Sequence, residues 1–174
     1  PRPNLAPVAP PRWTAALMVS DTLATSEVPP KTTGPYTAGQ EVFVHWAVRN
    51  ESPVALRDEF KVALVFDGEI VETFVVPSIG AQQIVTQTNV PGIMERPGSY
   101  TLALVVDIGD NIPESNESDN VFTTTRAWQR PASTSTPTPT ATATPMPVRE
   151  WDVLSPTQGQ VVVGSTVTVD IRLV

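Results

Sequence analysis

The sequence predicts an all-β fold, an immunoglobulin-like antiparallel sandwich of seven strands with Pro/Thr-rich linkers. Three observations carry this. Between residues 13 and 128, seven short runs rich in β-branched and aromatic residues follow one another, several in strict apolar alternation. Turn-forming groups separate them, among them Thr37-Ala38-Gly39, Asn50-Glu51-Ser52-Pro53, Asp67-Gly68 and Arg96-Pro97-Gly98. No segment keeps a helical period over three turns. Short strands with regular turns suit a sandwich.

Taken in order, residues 1–12 hold five prolines and read as a Pro-rich linker. Residues 13–24 predict a first strand with Trp13, Ala15, Leu17 and Val19 on one face. Residues 40–50 predict the clearest strand, because Val42, Val44, Trp46 and Val48 alternate with Phe43, His45, Ala47 and Arg49. Residues 60–66 set Phe60, Val62, Leu64 and Phe66 on one face, and 69–76 form the next strand. Asp67-Gly68 between them is a hairpin signal, since a type I′ turn needs positive φ at both central residues. Residues 82–90 predict a weaker strand with poor alternation. Residues 99–107 align Tyr100, Leu102, Leu104 and Val106, and 120–128 make the seventh strand. The core is expected around Trp46, Leu64, Tyr100 and Leu104.

The sandwich is expected to span 13–130. Residues 131–147 hold five more prolines among Thr, Ser and Ala, with no face to bury, and predict an extended spacer. Residues 148–174 contain two strand-like pieces, too few to bury a core alone. They are expected to be the cut beginning of a second β domain.

Composition narrows the function. The net charge of -7 argues against a nucleic-acid partner, because binding phosphates rests on counterion release by Lys and Arg. No apolar run approaches the ~20 residues of a membrane-spanning helix. The sequence has no cysteine, which removes thiol nucleophiles, disulfides and cysteine metal sites. It begins at Pro1 without a charged-then-apolar leader, so the native start and any signal peptide are expected upstream.

Candidate chemistry is sparse. No catalytic residue is assigned. His45 is the single histidine and is expected to face solvent, opposite the Val/Trp stripe. No nucleophile motif or phosphate-cradling loop is present. The four tryptophans, Trp13, Trp46, Trp128 and Trp151, raise a sugar platform, against which Trp46 reads as a core residue. Trp13 and Trp128 are expected to pack where the chain enters and leaves. The loop 107–120 gathers Asp107, Asp110, Glu114, Glu117 and Asp119 with no Lys or Arg between. Hard cations want such oxygens, so Asp107, Glu114, Glu117 and Asp119 are candidate Ca²⁺ ligands. Alternatively, Asp and Asn side chains cap their own turns.

Motifs in 13–128 resemble the CARDB family, the cell adhesion related domain found in bacteria. They are Thr37-Ala38-Gly39-Gln40 before the second strand, Val48-Arg49-Asn50 at its end, the Val65-Phe66-Asp67-Gly68 hairpin and Pro97-Gly98-Ser99-Tyr100. The most specific is the stretch 106–120, containing Glu114-Ser115-Asn116-Glu117 and ending in Asp119-Asn120. Asp119 stands where Asn is commoner, and the loop Glu27–Tyr36 is longer than usual. Residues 154–169 also resemble the opening of a bacterial immunoglobulin-like domain. The CARDB resemblance implies a seven-stranded sandwich in exported proteins, without catalytic residues. The expected function is a non-catalytic extracellular or cell-surface module that spaces, presents or mediates adhesion for other domains. The alternative is a module binding a carbohydrate or protein ligand, with or without Ca²⁺. Candidate partners are neighbouring domains of the same polypeptide and a surface protein or polysaccharide.

Overall fold

Val42, Val44, Trp46 and Val48 are all buried along one face of a ten-residue strand, and burying such a face requires a second layer over it. The computed structural model describes residues 1–30 and 34–132. The described residues form nine strands and no helix: β1 (Leu5–Pro7), β2 (Leu17–Ser20), β3 (Tyr36–Thr37), β4 (Glu41–Asn50), β5 (Phe60–Phe66), β6 (Glu69–Val76), β7 (Ile84–Ile93), β8 (Gly98–Val106) and β9 (Val121–Gln129). All but the first two residues of the expected spacer 131–147, and all of 148–174 including Trp151, lie outside the described residues.

Two sheets make the sandwich. In one, β4 is central, with β1 and β2 along one side and β7 along the other, all antiparallel to it. In the other the order is β3-β9-β8-β5-β6, with β3 parallel to β9 and the remaining pairs antiparallel. The core lies between them. Trp46 of β4 meets Phe74 of β6 across the layers at 5.2 Å between ring centroids. Leu64 and Leu104 are paired neighbours on β5 and β8, and both are buried. Tyr100 is half-buried against this core, its hydroxyl donating to the Arg96 carbonyl at 3.0 Å. The β5–β6 hairpin turns on Asp67 (φ 44°) and Gly68 (φ 89°), the left-handed pair that a two-residue turn demands.

Two expectations are corrected. Residues 1–12 are not simply a linker, because β1 pairs with the end of β4 and Leu5 is fully buried. Extended proline-rich backbone is close to strand geometry, and Pro7 sits on a short outer strand, where proline is tolerated. The expected first strand over 13–24 shortens to β2. Leu17 and Val19 enter the main core, whereas Trp13 packs on the other face of the sheet with Met18 and Ala47. The poor alternation of the fifth run, residues 82–90, has a cause. The β4–β7 register slips between Val44 and Trp46, and Asn89 takes a φ of 60° there, which resets the in–out pattern.

Candidate functional site

The acidic loop joins β8 to β9 and is built from its ends inward. Asp107 leaves β8 with φ 46°. Its Oδ2 accepts the Ile112 N–H at 2.7 Å, and its carbonyl accepts the Asp110 N–H at 2.8 Å. Ile112 is buried and anchors the loop in the core. Glu117 Oε1 accepts the Glu114 N–H at 2.7 Å, and Asn116 Oδ1 accepts from Ser118 N–H and Oγ–H. These are side-chain caps on turns, the pattern that Asp, Asn and Ser favour.

Glu114 is the hub, only 3% exposed. Its Oε1 accepts Asn120 Nδ2–H at 2.7 Å, and its Oε2 accepts the backbone N–H of Leu5. Burial pushes its carboxyl up to about 7, against those hydrogen bonds, with the Glu117 and Asp107 charges adding to the rise. Around it the N-terminal segment is tied down. Asn4 Nδ2 donates to Asp119 Oδ2 at 3.0 Å, Ser115 N–H donates to the Pro3 carbonyl at 2.9 Å, and Asn4 N–H donates to Asn50 Oδ1 at 3.2 Å. The loop therefore staples β1 to the rest of the sandwich.

Each of the four candidate Ca²⁺ ligands, Asp107, Glu114, Glu117 and Asp119, thus has an oxygen committed to an N–H donor. Among the described residues no group of three or more Asp, Glu, His or Cys side chains is placed to hold a metal ion. As placed, the four do not form a ligand set. Asp107, Asp119 and Asn120 each keep one buried oxygen without a partner.

His45 lies opposite the core stripe but is fully buried, contrary to expectation. Strand alternation gives its face correctly. The slipped stretch of β7 and the loop after β2 cover that face, and Asn89 joins them by bonding both backbone groups of Ala24. His45 Nδ1 accepts the Asn89 N–H at 3.2 Å, which places the ring proton on Nε2. Nε2 then donates to Ser20 Oγ at 2.8 Å, and Ser20 donates onward to the Thr22 carbonyl at 2.6 Å. A general base must accept the serine proton, so this pair runs in the opposite direction. Burial lowers the His45 pKa to about 4.

The tryptophans of the described residues are all buried: Trp13, Trp46 and Trp128. Trp13 Nε1 donates to the Glu27 carbonyl at 2.8 Å. Trp128 instead sits among Tyr36, Phe66 and Tyr100, with centroid separations of 5.2, 6.1 and 5.6 Å. The two do not pack together, and no row of tryptophans faces solvent among the described residues.

The sequence model of the CARDB family matches residues 14–124. Among solved structures, a crystal structure of a CARDB domain from Pyrococcus furiosus, in complex with di-metal ions, superposes with a TM-score of 0.55 at 17% identity, covering 74% of this chain and 90% of that one. A solution structure of the same archaeal domain gives 0.49 at 19% identity, over 65% and 94% of the two chains. A domain of a Methanosarcina acetivorans protein, whose name assigns it to the cell surface, gives 0.48 at 21% identity, over 74% and 94%. At these identities the likeness is one of fold. No curated protein matches the chain.

Proposed function

The chain belongs to the CARDB family of cell-adhesion-related domains, and from that premise we propose that it is a non-catalytic module of a secreted or cell-surface protein, presenting its neighbouring domains and mediating protein contacts. The observation that carries this reading is the use made of the polar groups. The carboxylates of Asp107, Glu114, Glu117 and Asp119 fix turns or hold β1, and the His45–Ser20 pair braces a covered sheet face. Each has a structural task. Protein contact is favoured over sugar stacking because a stacking site presents aromatic faces to its ligand, whereas Trp13, Trp46 and Trp128 are buried.

The test is attachment. The whole chain, displayed on a non-adherent bacterial cell, should raise cell–cell or cell–matrix attachment, and protease treatment of the target surface should abolish the gain. Attachment that survives protease and is lost on glycosidase treatment would transfer the reading to a polysaccharide ligand. No gain at all would leave the contact-mediating role without support and reduce the module to a spacer.

A further inference from the structure

We propose that the seam between β6 and β7 accepts an added β-strand, supplied by an extended basic segment of a partner protein. The inference deepens the contact-mediating reading by naming the chemistry of the partner, and it rests on that reading only for its biological sense.

Four observations converge on the seam. β6 ends its sheet, so the outer side of its eight-residue backbone is unpaired among the described residues. A free edge without proline is a template for strand addition. β7, the facing edge, is blocked, since Pro91 removes a donor and Asn89 is turned aside to bond Ala24. Addition is therefore directed to β6.

Beside that edge an apolar groove of about 160 Å³ opens between the sheets, floored by residues such as Val44, Leu64 and Met94. Its rims are Val71 and Ile93, each 55% exposed. Val71 is the extra residue of the bulge that breaks the β5–β6 register, and bulges re-aim side chains. Ile70 and Val75 extend the exposed apolar surface along the same strand. A strand laid on β6 would bury these residues and could drop one side chain into the groove.

Gly92 keeps the groove open. A Cβ there would meet only Val42 Cγ2 at 4.0 Å, and no positive φ requires a glycine at this position. Glycine inside a strand costs stability and often marks the close approach of another group. Neither the backbone nor the packing explains Gly92, whereas an incoming side chain would.

Charge selects the occupant. Glu72 stands on the groove wall and Glu69 one turn of the pleat away, and among the described residues neither carboxylate has a hydrogen-bond or ion-pair partner. The chain carries a net charge of -7, which steers cationic segments toward it. The fitting ligand is an extended peptide with apolar side chains on one face and Lys or Arg on the other.

The probes are short labelled peptides alternating Lys with Val, Leu or Phe, titrated against the full chain by fluorescence anisotropy. At least one should bind. Its affinity should fall about tenfold or more for Glu72→Lys, for Gly92→Leu, and for the same peptide N-methylated along one edge, since tenfold is about 1.4 kcal/mol. Glu72 is exposed, so its variant tests the idea even if Gly92→Leu folds poorly. No binding by any of the peptides overturns the proposal. So does binding that N-methylation and Gly92→Leu leave unchanged, which would reduce it to general charge attraction. Peptide binding without cell attachment would sink the adhesive reading and leave the strand-accepting seam standing.

Discussion

Glu114 and His45 are buried titratable side chains whose ionisations oppose each other. Burial holds the Glu114 carboxyl at about 7 against an ordinary 4.5. Ionising it costs the folded state more than the unfolded chain, so its contribution is fully present below about 4.5 and is lost as pH rises through 7. His45 is lowered from 6.5 to about 4. Its contribution is present above 6.5 and is lost as pH falls toward 4, because the unfolded chain takes up the proton first. Between those limits the two changes offset each other. Relative to wild type, Glu114→Gln should therefore lose melting temperature on acidification through this window, and His45→Gln should gain it. Variants that shift in the same direction would show that one assignment is wrong. Only part of this was legible in the sequence. Alternation placed Trp46 in the core and His45 on the opposite face, but alternation does not say whether that face is covered. The cover comes from Asn89 and Ala24, residues remote in sequence from His45.

At the level of strands, β1 departs most from expectation. Leu5 is fully exposed to the core packing of the sandwich and not at all to solvent. Leu5→Ala should cost about 2–5 kcal/mol, the usual range for a buried leucine, read as a lowered urea midpoint. An unchanged midpoint would return residues 1–12 to the status of a linker. The acidic loop that holds β1 supplies a second expectation. With Asp107, Glu114, Glu117 and Asp119 each giving an oxygen to an N–H donor, thermal melts in millimolar Ca²⁺ and in EDTA should coincide. A rise in Ca²⁺ that disappears in Glu117→Gln would instead put a cation in the loop with Glu117 among its ligands. The strands with clean alternation, β4, β5 and β8, were legible because each buries one face. β1 was not, since three residues carry too little pattern and both its ladder partner β4 and the Glu114 carboxylate lie far along the chain.

For the sandwich as a whole, the family motifs and the alternating strands pointed to the same two-layer architecture. They could not show which sheet edges are open. That depends on a bulge in β6, a proline in β7 and the order of strands in each sheet. The topology also separates the two ends of the domain. Leu5 meets Asn50 and Glu114 at the acidic-loop pole, whereas Trp128 and Gln129 meet Tyr36 and Thr37 at the other. A pull applied through the two flanks would run lengthwise through the sandwich. β1 would be dragged parallel to its own axis against β4, so its ladder bonds and the bonds from Glu114, Asp119 and Ser115 would share the load and fail together. The staple that completes the fold is thus also placed as a mechanical clamp against a pull between the two ends of the domain.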